Sequence, residues 1–124
     1  MAMDQSVRSS AAVSTMATPS AEGENLVETD EFGRVVITPE AELDLASAPA
    51  LLDLIRRVIA LSPPGVVLDL SAVTFVDSSG CNALAIGWRE ARAANVRFGL
   101  RDEMTRSVRR TLAVTLVLPM FDPA

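Results

Sequence analysis

Hydrophobic and polar positions divide the chain into a patternless N-terminal stretch and a body of short alternating elements. Residues 1–24 are rich in Ser, Ala and Thr and show no apolar period. Such a segment cannot bury enough surface to offset its ordering entropy, which predicts a disordered tail. From Asn25 the pattern changes. Leu26-Val27 opens a strand, Glu31-Phe32-Gly33 reads as a turn, and Arg34-Val35-Val36-Ile37-Thr38 is β-branched, so the two runs can pair as a hairpin. Ser47 is placed to cap a helix with Pro49 in its first turn. Leu51, Leu52, Ile55, Val58 and Ile59 form its apolar stripe, and Asp53, Arg56 and Arg57 lie off it. Pro63-Pro64-Gly65 ends that helix.

Val66 to Leu70 (VVLDL) is a short apolar run bounded by turn residues, as a buried central strand requires. A loop over Ser71 to Ser78 leads into a second helix from about Ser79 to Ala94, whose face is Leu84, Ala85, Trp88 and Ala91. Val96 to Leu100 reads as a strand. Asp102 or Thr105 can cap a third helix to about Ala113, with Val108 and Leu112 inward. Leu116 to Phe121 is a last apolar run, suited to an edge strand because Pro119 cannot donate to a ladder. Strands alternating with helices predict βαβ units with right-handed crossovers, hence one α/β domain over residues 25–124. A mixed sheet of four to five strands with helices packed on it follows.

Composition narrows the chemistry. Of 124 residues, 49% are hydrophobic and 22% charged, enough for a real core. Net charge is −5, which disfavours nucleic acid as a partner, since phosphate binding needs a basic footprint. There is no His and no Lys; all eleven basic residues are Arg. Ser-His-Asp and Cys-His catalysis, a Schiff base and a P-loop lysine therefore cannot be assembled from this chain. One cysteine without histidine excludes the usual zinc sites, and no cofactor is expected. Cys81 can form no internal disulfide, and near a helix start it reads as a small apolar packer. The N-terminus lacks a signal-peptide pattern, and the apolar region from Leu43 to Leu61 is broken by Asp44, Asp53, Arg56 and Arg57. The expectation is a cytoplasmic protein with no membrane partner, and no enzyme.

Chemistry concentrates in VVLDLSAVTFVDSSGCNAL, residues 66–84. A buried strand runs through a loop into Asp77-Ser78-Ser79-Gly80 at a helix start. Helix N-termini expose unpaired N–H groups and the positive end of the macrodipole. A phosphoryl group there would gain from both, and Gly80 would let it approach the backbone. The plainer reading is that Ser78 or Ser79 is an N-cap. A nucleophile elbow is disfavoured because Gly-x-Ser-x-Gly and a base are both missing. Asp69 and Asp77 lack a third ligand for a metal; Asp69 reads as an end-of-strand carboxylate bonded to backbone, Asp77 as a loop-fixing residue.

The run VVLDLSAVTFVDSSG strongly resembles the STAS domain of bacterial anti-sigma factor antagonists. Glu42-Leu43-Asp44-Leu45-Ala46, followed by an amphipathic helix, resembles that family's Gly-Glu-Leu-Asp segment. The likeness covers about residues 25 to 122. It implies a STAS fold and partner switching: the unphosphorylated form binds an anti-sigma factor that is also a serine kinase, and frees a sigma factor. Phosphorylation would fall on Ser78, with Ser79 second to it, and a cognate serine phosphatase would reverse it. Partner contacts are implied at Asp44, Thr74, Asp77, Ser78, Ser79 and Gly80. Departures from the family pattern are Ala41 for Gly, Cys81-Asn82 for Leu-Gly, and a shortened turn around Val114-Thr115-Leu116. The alternative is a non-switching STAS scaffold subunit of a signalling or lipid-transport complex, in which the serine only caps. Residues 89–110 hold seven Arg against Glu90, Asp102 and Glu103, which reads as solvated helix faces rather than an acidic-partner patch.

Overall fold

The β-branched runs do become strands. In a computed structural model, which describes residues 25–115 and 122–123, β1 (Leu26–Thr29) and β2 (Val35–Thr38) form the expected hairpin, with Val27 opposite Ile37. Its turn closes on Asp30. The carboxylate accepts from the Phe32 and Arg34 N–H groups, both at 2.9 Å, and Gly33 takes φ +82°, where a Cβ would be strained.

Three further elements carry the chain upward: β3 (Glu42–Leu43), α1 (Ala48–Ile59) and β4 (Gly65–Leu68). Then come β5 (Phe75–Val76), α2 (Ser78–Ala93), β6 (Arg97–Leu100), α3 (Arg106–Val114) and β7 (Asp122–Pro123). The main sheet has the order β1-β2-β4-β6-β7, antiparallel only at the hairpin. A separate two-stranded parallel sheet joins β3 to β5. The segment 116–121, where the last edge strand is expected, and residues 1–24 lie outside the described residues.

The helices share one face of the sheet. Val35, Ile37, Val66, Leu68, Phe98 and Leu100 alternate onto it and form one core with Leu51, Ile55, Leu84 and Leu112. Gly87 is the close-approach point of α2: a Cβ there would lie 3.1 Å from Ile55 and 3.3 Å from the Phe98 ring. Arg56 of α1 spans to Glu90 of α2 through two hydrogen bonds of 2.9 and 2.8 Å.

Local details correct the sequence reading. The buried stripe of α1 uses Leu54 and not Leu52, because one turn on from Leu51 the sheet is met at Leu54 and Ile55. Ser47 stands at the N-cap position without capping; its hydroxyl donates to the Glu42 carbonyl at 2.6 Å. Helix α2 starts one residue early, at Ser78, and its cap is Asp77 rather than either serine. The supposed loop over 71–78 contains β5. Thr105, of the two candidates, caps α3 by accepting from the Val108 N–H at 3.2 Å. Ala85 and Trp88 are only half-buried; Cys81, Ala83 and Gly87 fill the inner face of α2 with Leu84 and Ala91.

Candidate functional site

The small β3–β5 sheet assembles the site. Glu42 pairs with Phe75 and Leu43 with Val76, and the Asp77 N–H extends the ladder to the Leu43 carbonyl at 3.0 Å. Asp44 and Asp77 therefore leave adjacent strands side by side, each at the entrance to a helix. Both carboxylates hold backbone. Asp44 Oδ1 accepts from the Ala46 and Ser47 N–H groups at 3.0 and 3.1 Å, and Asp77 Oδ1 from those of Ser79 and Gly80 at 2.8 and 3.1 Å. Thr74 is pinned too: its N–H and hydroxyl both donate to the Ala41 carbonyl. Ala41, where the related pattern has glycine, has no positive φ, so a side chain is tolerated there.

Ser78 is the first helical residue and is exposed, and its hydroxyl has no hydrogen-bond partner among the described residues. Ser79 is half-buried and points toward a groove of about 420 Å³ lined by Leu45, Pro49, Leu52, Arg56 and Asn82. Gly80 is buried, which corrects the reading that it opens the backbone to a phosphoryl group. A Cβ there would sit 2.6 Å from the Leu43 carbonyl oxygen and 2.7 Å from a Val76 methyl. The glycine lets α2 start directly against the small sheet. Three amides of this turn are engaged: those of Ser79 and Gly80 by the Asp77 carboxylate, and the Cys81 N–H by the Asp77 carbonyl at 3.0 Å. A phosphoryl group on Ser78 would stand next to the Asp77 carboxylate, with those three amides already engaged.

Of the six sequence-derived contact residues, Asp44, Thr74, Asp77, Ser78 and Ser79 come together at this end of the molecule with their side chains exposed or half-buried, and Gly80 lies beneath them. Leu45 and Phe75 are 76% and 49% exposed beside Asp44 and Thr74. Cys81 is buried, with the Thr115 hydroxyl 3.5 Å from its Sγ, as a packing residue should be.

Asp69 stands just past β4 and stays out of the site. Partial burial pushes its carboxyl up, but hydrogen bonds from Ser71 and Arg101 outweigh that and hold it below the usual carboxylate range. Among the described residues no group of three His, Cys, Asp or Glu is placed to hold a metal, and no helix is long and apolar enough to cross a membrane. The arginine-rich half is largely tied to its own surface: Arg101 to Asp69, Arg109 to the Asp102 carbonyl, and Arg92 over the Trp88 ring.

The family model for the STAS domain matches residues 25–123. The chain belongs to the STAS domain family. Over 79 residues this STAS domain is 39% identical to anti-sigma-F factor antagonist RsfB of Mycobacterium tuberculosis, a match covering 62% of this chain and 64% of that protein. An anti-sigma factor antagonist from Mycobacterium paratuberculosis, solved by crystallography, is 34% identical with a TM-score of 0.70, covering 80% of this chain and 82% of that one. The Bacillus cell fate determinant SpoIIAA in its phosphorylated form shares the fold at 22% identity and TM-score 0.61, over 81% and 90% of the two chains. Its unphosphorylated form gives 0.66.

Proposed function

We propose that this STAS domain is an anti-sigma factor antagonist that switches partners through Ser78. Unphosphorylated, the surface formed by Asp44, Thr74, Asp77, Ser78 and Ser79 docks an anti-sigma factor with serine-kinase activity, and the sigma factor is released. Phosphorylation of Ser78 ends that complex, and a serine phosphatase restores it.

The carrying observation is the state of Ser78: exposed, at the first turn of α2, with a hydroxyl that has no hydrogen-bond partner among the described residues. The neighbouring Asp77 makes the switch asymmetric. It supplies the cap that a serine would otherwise supply, so modifying Ser78 leaves the helix intact. A phosphoryl group brings about −1.5 to −2 charges and three acceptors next to that carboxylate, on a surface that must dock flush. A penalty of ~1–3 kcal/mol changes affinity about 5- to 150-fold. ATP and Mg²⁺ come with the kinase.

The test is a pulldown from the native cell, with and without phosphatase treatment, followed by intact mass of the bait. A partner retained only by the dephosphorylated protein supports the switch. Equal retention in both states, with no mass difference, supports a scaffold instead.

A further inference from the structure

The groove beside Ser79 is apolar and open to solvent, and its charges are paired. One face of α1 gives it Pro49 and Leu52, Leu45 stands at its mouth, and the first turns of α2 supply Ser79 and Asn82. Leu45 and Leu52 take no part in the core. Arg56 gives two hydrogen bonds to Glu90, Asp53 is paired with Arg57 at 3.4 Å, and Asp44 Oδ1 holds the Ala46 and Ser47 amides. The polar groups left open are neutral: neither the Ser79 hydroxyl nor the Asn82 carboxamide has a hydrogen-bond partner among the described residues. Helix geometry ties the groove to Ser78. Asn82 lies four residues on from Ser78 and three from Ser79, so the three side chains share one face of α2. A partner seated over Ser78 therefore meets Asn82 and the groove mouth on the same surface.

Resting on the partner-switching reading, we propose that this groove receives an uncharged, apolar side chain of the anti-sigma factor, and that Asn82 selects which anti-sigma factor is accepted. The charge pattern sets the first half. A charged occupant would find no unpaired countercharge in the groove and would lose its water for nothing. An apolar side chain covers Leu45, Pro49 and Leu52 and leaves the ion pairs at the rim in place. The second half follows from the chemistry of one residue. A carboxamide both donates and accepts, so Asn82 can pair with a peptide group of the segment that carries the inserted side chain. The related pattern has glycine at this position. A partner shaped to glycine meets a side chain here, so the same residue attracts one partner and excludes another.

The experiment titrates the full unphosphorylated chain, Asn82→Ala, Asn82→Gly and Leu52→Arg against two anti-sigma factors: the one retained in the pulldown, and one whose own antagonist reads Ser-Ser-Gly-Leu-Gly. Toward the first, both Asn82 variants should bind about 3- to 10-fold more weakly, the effect of one lost hydrogen bond. Leu52→Arg, which fills the groove, should bind at least about 10-fold more weakly. Toward the second, Asn82→Gly should bind more tightly than the parent. Tm of Asn82→Ala should not fall, since alanine is the better helix former, which separates a lost contact from a lost fold. Three variants that match a binding parent toward both partners would overturn the proposal and leave the Ser78 switch standing. Equal weakening of Asn82→Gly toward both partners would overturn the selecting role. A Leu52→Arg effect confined to self-association would overturn the occupant, making it a second copy of this chain. A parent that binds no anti-sigma factor would overturn both this proposal and the switch.

Discussion

Gly80 shows how one missing side chain fixes the site. Its hydrogen lies against the Leu43 carbonyl and the Val76 methyl, so Gly80→Ala places a Cβ within 2.6–2.8 Å of three atoms, one of them backbone. Overpacking of this kind costs about 1–3 kcal/mol, and urea unfolding should show a loss at the upper end. Helix capping gives a sharper contrast. Asp77→Ala removes the acceptor of two amides and should cost ~1 kcal/mol, whereas Ser78→Ala, which loses a hydroxyl without a partner among the described residues, should be neutral. Equal losses in the two variants would return the capping role to serine. Asp69 supplies the pH dependence. Because its folded pKa lies below its unfolded value near 4, its stabilisation is present above that value and fades as pH falls through the folded one. Asp69→Asn should therefore be less stable than the parent at pH 7 and converge with it in strong acid.

At the level of elements, the sequence and the structure part at consistent places. The hairpin, α1 and β4 were legible because each is long enough to show its period: the Val35–Thr38 run, the stripe from Leu51 to Ile59, the apolar Val66–Leu68. Strands β3 and β5 were not, because two residues cannot display an alternation; only pairing reveals them. Asp44 and Asp77 could be recognised as important from the run they stand in, yet that the same small sheet sets them side by side is a tertiary fact. The stripe of α1 slipped by one side chain because Leu51, Leu52, Leu54 and Ile55 all fit a helical period, and only the sheet decides between Leu52 and Leu54. Leu54→Ala should thus cost about 2–5 kcal/mol in thermal or denaturant unfolding, while Leu52→Ala, at the groove, should cost under about 1 kcal/mol. The Arg56–Glu90 tie between α1 and α2 is exposed on both sides, so Arg56→Gln should change stability by no more than ~1 kcal/mol.

For the whole molecule, the fold separates two jobs. The helix-side core and the five-stranded sheet hold the end where β3, β5 and the start of α2 meet, and the proposed switch places its chemistry there on the exposed Ser78 hydroxyl, which has no partner among the described residues. On the proposed switch, that separation would let a charge be added without unfolding the scaffold that displays it. The most direct measurement is intact mass and binding after incubation with the proposed partner, an anti-sigma factor with serine-kinase activity, and ATP, run on the parent and on Ser78→Ala. One phosphoryl group, about 80 Da, should appear on Ser78 of the parent and weaken its complex about 5- to 150-fold. Ser78→Ala should stay unmodified and bind throughout. No mass gain with a kinase that binds the parent, or a phosphorylated parent that binds as tightly as before, would contradict the switch.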